Sequence, residues 1–553
     1  MITVKGIEDK YSIELCKTNE TPIGALPSDC LDSLTCKLCD LDEAKLTVHK
    51  YYYSNIDKIK VGFYLYDEIK PERIITLNNR KFIIKSVEED DKNKIKILLC
   101  YAKQKKLEKN TISVEDLGFY LMDSDEEQGI FNLDEYMYEE TGWRFGHIDN
   151  EVRYNSNGEP RLRWQESVEE DWYTYLNSTL AKQYNCITVF DDEHGLVNLY
   201  AIDNFGDDLK IFLSYDNYLK ELSRTDNSSD IVTKLKLIGN EEKCYIEDAN
   251  PTGLNYIENY SYFIESGDMS NELITALNTY DKMVKERTIT WKELNTQVLK
   301  KQDELTIKKN EEYMAIENYK AQKKSYDYYA SKVGTSEDST GAYTSLAEQL
   351  APIVAQYKED VERLYLEVKN LEEDIANLDA SIKQINILCR KPTATDSNGN
   401  LIFNQQLLDE LKLFIYSDTY ADDSFYDAEE MLEVGKRNLE LSCKPTVSWN
   451  ISVADFTARL RIPNRVKWNG TLGLGDVIGL YDTETGEEAF VYVIEYTKDF
   501  KSKSLSLTLS NKKGNENAFK VVNDLLKQGK LAIKQLSKIN WISNDIKYNR
   551  WNM

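Results

Sequence analysis

The sequence contains three histidines, His49, His147 and His194, the first residues to test for catalysis or metal binding. Zinc peptidases often place two histidines in a His-Glu-x-x-His helix, and this motif does not occur in the sequence. A serine hydrolase elbow needs Gly-x-Ser-x-Gly at a strand-to-helix turn, and that motif does not occur either. The sequence therefore carries no recognisable motif for these two classes of hydrolase.

An acidic cluster, Asp191-Asp192-Glu193-His194, offers the oxygen and nitrogen ligands that divalent cations accept. It lies between Cys186–Phe190 and Leu196–Tyr200, two runs with strand character. Acidic residues in hairpin turns are usually solvated, so the prediction is a loop without a metal. His147 follows Gly146 in a turn sequence, and we expect it to be packed rather than catalytic.

Nine cysteines are present, and one pair has the spacing Cys36-x-x-Cys39. An odd count spread along the chain does not favour a disulfide framework, so reduced thiols are predicted. A zinc site would need a second pair, and Cys16 and Cys30 are the nearest candidates. Apolar residues alternate through Leu34–Val48, which favours strands with cysteine as a small apolar filler.

Two glycine-containing stretches resemble binding loops without completing their motifs. Asp396-Ser397-Asn398-Gly399 begins like a calcium loop, but its glycine comes one position early and no glutamate follows at the required spacing. Gly473-Leu474-Gly475 lacks the GxGxxG spacing and lies within a run that reads as a strand, Leu472–Tyr481. With 95 carboxylates, some pair will stand at a glycosidase distance by chance. No catalytic residue, cofactor site or metal site is therefore predicted.

The formal net charge of −26 argues against a static grip on nucleic acid, which needs clustered Lys and Arg. An acidic wall would instead let a polyanion slide past without adhering. Residues 511–553 carry nine Lys or Arg and three Asp or Glu, a net +6 that leaves −32 on the rest. No apolar run approaches the roughly 20 residues of a membrane span, and the first residues do not begin a signal peptide. The expectation is a soluble protein made in the cytosol.

A long helix is predicted over Leu346–Leu388, because its apolar residues recur at spacings of 4 and 3. These residues are Leu346, Leu350, Ile353, Tyr357, Val361, Leu364, Val368, Leu371, Ile375, Leu378, Ile382 and Ile385. One extra spacing of 4 near Tyr357 indicates a coiled-coil seam with a single stutter. A weaker helical stripe runs through residues 271–332, and Gly334–Gly341 has loop composition. The simplest interpretation is an antiparallel helical hairpin projecting from the body.

Short β-branched or aromatic runs, separated by turn residues, predict strands from residue 1 to about 110. They are Ile2–Val4, Ser12–Leu15, Lys60–Leu65, Arg73–Leu77, Lys81–Lys85 and Ile95–Leu99. This spacing is typical of an antiparallel barrel or sandwich.

Several motifs carry a resemblance to one family. Pro71-Glu72-Arg73-Ile74, Phe82–Glu89 and Leu99-Cys100-Tyr101-Ala102 resemble the N-terminal part of phage tail-hub proteins, often called tail-associated lysin or prophage endopeptidase tail. Thr141–Asp149 resembles the Gly-Trp-x-x-Gly-x-Val turn of that family. The segment from Phe205 to Leu235 also matches it, with Asn255–Phe263 as the usual continuation.

The resemblance returns after the predicted hairpin, in Leu474-Gly475-Asp476 and in the alternating run Ser504–Leu509. It covers about residues 1–265 and 441–512. It implies that the last barrel pairs with the first to build a pseudo-sixfold ring from three subunits. The family name implies peptidase activity, but the hub module does not carry that activity in its motifs.

The predicted fold class is α+β, with β-rich hub domains (antiparallel barrels or sandwiches) interrupted by a long antiparallel α-helical coiled-coil hairpin. The predicted domains are an N-terminal β-barrel hub domain over 1–110, an α+β hub domain over 111–265, the hairpin insertion over 266–390, a mixed connector over 391–443, a C-terminal β-barrel hub domain over 444–512, and a basic amphipathic helix over 513–553. Within the connector we expect a turn at Ser397–Asn400 and a helix over Tyr426–Leu441.

The preferred hypothesis is a homotrimeric baseplate hub at the tail tip of a bacteriophage or tail-like particle, made in the host bacterial cytoplasm. The ring would continue the tail tube, provide or close the channel for genome ejection, and pass DNA without specific binding. Expected partners are the distal tail protein, the tape measure protein and other tail-tip, baseplate or receptor-binding proteins, with host wall or membrane contact as a further expectation. The alternative is a cell-wall hydrolase, peptidase or glycosidase, on the same scaffold. An adhesin for host carbohydrate is a third hypothesis, based on the 37 tyrosines.

Overall fold

The structure is a computed structural model that describes residues 11–53, 60–112, 117–124, 129–155, 158–165, 170–240, 244–454, 472–481 and 488–511. The predicted strand Ile2–Val4 and the predicted helix over 513–553 lie outside these residues. The chain divides into two compact units. The β unit comprises 1–232, 238–244 and 418–553, and the helical unit comprises 233–237 and 245–417. The finer domain bounds remain predictions.

Strands and helices alternate along the described residues, which makes the chain α+β, as predicted. The first strands are β1 (Ile13–Cys16), β2 (Pro22–Leu26), β3 (Leu31–Lys37), β4 (Glu43–His49), β5 (Tyr51–Tyr53), β6 (Lys60–Gly62), β7 (Ile74–Leu77), β8 (Arg80–Asp90) and β9 (Ile95–Ala102). The next are β10 (Thr111–Ile112), β11 (Leu117–Tyr120), β12 (Phe131–Asn132), β13 (Arg144–Ile148), β14 (Arg163–Gln165), β15 (Glu170–Asp171), β16 (Cys186–Asp191) and β17 (Leu196–Ala201). The last are β18 (Asp208–Leu213), β19 (Leu219–Asn227), β20 (Lys234–Ile238), β21 (Tyr256–Glu258), β22 (Ser417–Ala421), β23 (Thr446–Ala454), β24 (Val477–Tyr481), β25 (Glu488–Asp499) and β26 (Ser504–Ser510).

The α-helices range from single turns to two very long rods. They are α1 (Leu133–Thr141), α2 (Asn150–Arg153), α3 (Trp172–Thr174), α4 (Ala181–Gln183), α5 (Ile246–Ala249), α6 (Ser261–Ser266), α7 (Asn271–Ala330), α8 (Ala342–Leu388), α9 (Gln405–Leu411) and α10 (Ala428–Ser442). Among the described residues, no helix combines the length and apolar character needed to cross a membrane.

One large sheet organises the β unit. Its strands lie in the order β19-β23-β26-β25-β3-β4-β9-β8-β7-β1-β2, with β24 pairing with β25 and β18 pairing with β24. The central junction is the antiparallel pair β3–β25, in which Lys37 lies opposite Glu495 and Ser33 opposite Asp499. The first and last β segments of the chain therefore meet in one sheet, although both long helices lie between them in sequence.

The described residues of the β unit form two large apolar cores and a small separate cluster of Cys16, Ile74 and Ile83. The first follows the large sheet and includes buried side chains from β1, β3, β4, β8, β9, β23, β25 and β26. The second lies around the antiparallel hairpin β16–β17, in which β17 also pairs with β13. A helix packs on this hairpin, and it widens into a π-helix over Tyr175–Leu180 between α3 and α4. The buried Trp172 at its start anchors it in the second core.

The helical unit is built on α7 and α8, which run antiparallel. Lys301 pairs with Asp374 at 2.8 Å and Lys308 with Glu367 at 3.0 Å, so residue numbers rise on one helix as they fall on the other. Ser270 caps α7 by accepting from the backbone N–H of Leu273 at 3.2 Å. The loop between the helices covers the predicted Gly334–Gly341 stretch. The two helices thus agree with the sequence interpretation, although α8 begins at Ala342, before the predicted Leu346.

The stutter predicted in α8 is absent. Ala347 is buried and Val354 half-buried, whereas Leu346 and Ile353 are 39% and 42% exposed. The facing positions then follow an unbroken 3-4 spacing, which we call the seam. It comprises 284, 287, 291, 294, 298, 301, 305, 308, 312, 315, 319, 322, 326 and 329 in α7, and 343, 347, 350, 354, 357, 361, 364, 368, 371, 375, 378, 382 and 385 in α8. This spacing leaves two larger side chains, Leu346 and Ile353, more exposed than their neighbours Ala347 and Val354.

Candidate functional site

The predicted acidic cluster occupies the turn between β16 and β17 and separates into two parts. Ligand atoms of Asp191, Glu193 and His194 lie within 4.8 Å of one another. Asp191 already accepts from the backbone N–H groups of Glu193 and His194 and contacts the His194 ring Nδ1 at 2.9 Å. Asp192 is instead buried and accepts from the backbone N–H of Lys81 at 2.8 Å. Asp191 thus stabilises the turn, and Asp192 links this hairpin to β8.

His147 lies on β13, where its ring packs against Tyr200 at 5.2 Å between centroids. Its Nε2 contacts Asp149 Oδ1 at 2.8 Å, and the other Asp149 oxygen accepts from the backbone N–H of Ala201. The ring is packed on one face, as predicted, although the side chain remains 47% exposed. Its contacts connect β13 to the end of β17.

All nine cysteines are free thiols, in agreement with the sequence prediction. Cys36 lies fully inside the first core, where burial raises the pKa of its thiol to about 12. Arg80 Nη1 donates to its sulfur at 3.3 Å and Nη2 donates to Asp42. Cys39 sits at a positive φ of 57°, in the turn after β3. The pair is therefore a structural filler with an ion pair beside it.

A cavity of about 130 Å³, lined by both apolar and polar side chains, lies beside this ion pair, within the β unit. Its lining combines residues from the three β-rich regions of the chain: Asp42, Arg80, Asn177, Asp192 and Tyr496. Within the part of the chain that the structure describes, the carboxamide oxygen of the buried Asn177 side chain meets no donor. A cavity of this size with several polar groups in its lining accommodates ordered water.

The two loop-like stretches serve as turns. Asp396 accepts from the backbone N–H groups of Asn398 and Asn400, closing the predicted turn with Gly399 at a φ of 84°. The predicted strand over Leu472–Tyr481 begins only at Val477, because Gly475 takes a φ of 80° and breaks the extended run.

This glycine forms a tight joint with Gly206, which lies just before β18. A methyl group on Gly206 would overlap the carbonyl of Gly475, and Gly206 itself has a φ of 80°. Asp476 closes the joint by accepting from the backbone N–H of Asp207 at 2.9 Å and of Gly473 at 2.6 Å. Burial raises the pKa of Asp476 to about 6 despite these two donors.

The strands that follow the joint continue the contact. β18 pairs with β24 in parallel, with Phe212 opposite Gly479, and Gly479 lies opposite Phe490 on β25. The two phenylalanine rings lie 5.7 Å apart over the glycine, and they are 41% and 57% exposed. An aromatic ring over a strand glycine covers backbone that the missing side chain leaves bare.

A second joint holds α10 to β14. Arg163 is fully buried and makes two bonds to the Glu430 carboxylate, at 2.7 and 2.8 Å. Arg161 also donates to Glu430. Burial alone would raise the pKa of Glu430, but the two arginines offset this and hold the pKa below its ordinary value. The Arg163 guanidinium lies against the rings of Tyr184 and Phe425, at 4.9 and 4.3 Å.

Neither joint follows from sequence alone, because each pairs residues more than 250 positions apart. The sequence does contain a signal for the glycine joint, since Phe205–Leu209 and Leu474-Gly475-Asp476 are both motifs that carry the family resemblance. The structure brings these two motifs into contact. The Arg163–Glu430 pair left none, because nothing marks one charged residue among the chain's many as buried.

Glu170, on β15 just before the helix that packs on β16–β17, provides a pH test. Burial raises the pKa of its carboxyl from 4.5 to about 7, although Thr179 donates to it at 2.9 Å. Since the folded state holds the proton more tightly, this group lowers stability as pH rises from about 4.5 to 7. We expect Glu170→Gln to raise the free energy of unfolding by about 2–3 kcal/mol at pH 8.

The measurement is urea unfolding of the full chain at pH 8 and pH 5.5. The gain should fall by more than half at pH 5.5, where the wild-type carboxyl is protonated in the folded state. The exposed Glu140, replaced by glutamine, is the control and should show no such pH dependence. An equal effect of Glu170→Gln at both pH values would contradict the raised pKa.

The strands after the glycine joint, β18 and β24, fall within a recognised family. The model of the family described as prophage endopeptidase tail matches residues 208–515, more than half of the chain. The match spans residues 266–390 as well, although the quoted motifs lie outside that segment.

A curated relative is the SPbeta prophage-derived uncharacterized protein YomG of Bacillus subtilis (strain 168), which is 21% identical over 354 residues. The alignment covers 62% of this chain and 38% of the relative, so the chain spans less than half of the length of that protein.

Two solved structures are similar over most of the chain. The prophage tail protein gp18 from Listeria monocytogenes EGD-e has a TM-score of 0.43 at 12% identity and covers 93% of this chain and 99% of its own. The 43 kDa tail protein of prophage MuSo2 from Shewanella oneidensis has a TM-score of 0.41 at 7% identity, covering 92% and 99%. On the extent of the family match, this chain belongs to the prophage endopeptidase tail family of phage tail proteins.

Proposed function

We propose that this tail protein is the baseplate hub at the tail tip, assembled as a homotrimeric ring that continues the tail tube. The observation that carries the proposal is the β3–β25 pair, which unites the first and last β segments of one chain. A subunit built this way presents one continuous sheet for ring assembly. In the proposed ring, each copy contributes both β segments.

The ends of this sheet support head-to-tail assembly. Over the described residues the main strand order ends at β2 on one side and at β19 on the other, and a branch from β25 through β24 ends at β18. β19 is exposed at eight of its nine positions. Open strand edges carry unpaired N–H and C=O groups that pair with another chain. A heterologous contact between two different edges generates a ring when the rotation closes.

Charge supports a channel role. The net charge of −26 disfavours adhesion to DNA, and a conduit for genome ejection must release the polyanion that it guides. We place acidic side chains of the ring on the channel wall. The distal tail protein and the tape measure protein are the proposed neighbours along the tube, with receptor-binding or other baseplate proteins outside it.

The long helices have a bracing role in this proposal. We propose that α7 and α8 pack as a true coiled coil, with the seam side chains interlocking as knobs into holes. Ion pairs such as Lys309–Glu372, at 2.8 Å, flank the seam and favour this register. The resulting rod closes or braces the tip of the ring.

The test is the mass and shape of the purified full chain. Light scattering should give three times the 64.1 kDa of one chain, and negative-stain images should show threefold rings. A monomer at micromolar concentrations, both alone and with the distal tail protein added, would overturn the proposal. Clearing of a peptidoglycan gel by the purified protein would instead favour the hydrolase alternative.

A further inference from the structure

The two flanks of the α7–α8 hairpin differ in chemistry. Lys309 and Glu372 each follow a seam residue by one position, and they pair at 2.8 Å. Residues that follow seam positions on the two helices therefore share one flank. Residues that precede seam positions must share the opposite flank, because the seam lies between them.

Near the loop, this second flank carries no charge. We define the distal flank as the residues that precede seam positions over 314–328 and 346–356. They are Met314, Asn318, Ala321, Ser325, Tyr328, Leu346, Gln349, Ile353 and Gln356. From the level of Met314 toward the base, the same flank turns charged, with Glu304, Glu311, Asp360 and Glu367. On the first flank, the distal positions include Lys320, Lys323, Glu348 and Lys358.

Large apolar side chains are exposed on the distal flank. Met314 is 59% exposed, Tyr328 55%, Ile353 42% and Leu346 39%. They recur at multiples of seven residues on each helix, so they form a straight stripe along the rod. A stripe with this period fits a partner helix that lies alongside the rod.

We infer that the distal flank is the surface through which the hairpins of the proposed trimer pack on one another, copy against copy. The inference rests on the proposed function and specifies one contact within it. The charge of the chain favours this flank as the contact between copies. A chain of net charge −26 repels its own copies, and α8 carries nine Asp or Glu against four Lys or Arg. Identical acidic rods can approach through an uncharged flank without placing like charges opposite each other.

Cross-linking of the full chain tests this contact. Ala321→Cys places a thiol on the distal flank, and Lys323→Cys places one on the opposite flank as the matched control. The native thiols are buried except for the half-buried Cys39, so the wild-type chain gives the background. With a short bismaleimide, we expect linked dimers for Ala321→Cys at ten times or more the yield of Lys323→Cys.

A charge variant gives the second measurement. Leu346→Glu combined with Ile353→Glu should abolish linkage through Ala321→Cys, whereas Ala351→Glu with Ala355→Glu, on the opposite flank, should leave it intact. Circular dichroism checks that each variant remains helical. Each of these changes lies outside the sheet, so light scattering reports ring assembly separately.

The outcomes distinguish the two proposals. A trimer by mass in which Ala321→Cys links no better than Lys323→Cys overturns the flank contact and leaves the hub standing. A trimer in which linkage survives both glutamates on the distal flank also overturns it, and points to a different partner for the stripe. A wild-type monomer overturns the hub, and with it the flank contact.

Discussion

Replacing Gly206 with alanine is expected to lower the free energy of unfolding by about 3 kcal/mol or more. Two costs add at this position. The left-handed φ of 80° costs about 1–2 kcal/mol for a residue with a Cβ. The new methyl group would also overlap the backbone carbonyl of Gly475, and overpacking of this kind costs about 1–3 kcal/mol. The overlapped atoms belong to the backbone, so no flexible side chain can move away to relieve the overlap.

Gly142→Ala is the matched control, measured by urea unfolding beside Gly206→Ala. Gly142 has a similar φ of 77°, but a methyl group there would meet no atom within 4 Å. It should therefore show the conformational cost of about 1–2 kcal/mol alone. Equal losses for the two variants would contradict the close approach of the backbone before β18 to the backbone before β24.

Replacing Glu430 with glutamine should cost about 3–5 kcal/mol, because it removes the counter-charge of a fully buried arginine. Arg163 would keep its hydrogen bonds to backbone carbonyls. It would lose the carboxylate that is bonded to it in this joint. The control is Glu433→Gln on the same helix, an exposed residue whose pair with Arg437 spans 3.5 Å. That variant should change stability by about 0.5 kcal/mol or less.

The double variant Arg163→Met with Glu430→Leu separates charge from packing. Because both buried charges are then removed, much of the stability lost in Glu430→Gln should return. The pKa of Glu430 is lowered in the folded state, and this sets the direction of the pH dependence. The stability that the carboxylate contributes is present above the ordinary pKa range of carboxylates and is lost as pH falls through the lower pKa of the folded state. A double variant less stable than Glu430→Gln would show that the pair matters through shape rather than charge.

The local elements were predictable from periodicity. The two long helices, the β16–β17 hairpin and α10 all follow from patterns that repeat within a few residues. Their partners were not predictable in the same way, since Arg163 and Glu430 carry no sign of their burial. Even within one helix, the sequence does not identify every facing position. Leu346 and Ala347 fit adjacent registers, and which of them faces α7 depends on the register along the whole rod.

The β3–β25 pair has a consequence for synthesis of the chain. β3 cannot complete its pairing until β25 has been made, more than 450 residues later. At about 5–20 residues per second, the nascent chain waits roughly 20–90 s with that strand edge open. Non-local pairing of this kind slows folding and leaves the unfinished sheet prone to aggregation on the ribosome. Fragments that stop before residue 488 should therefore be poor expression products, and chaperone supply should govern the yield of the full chain.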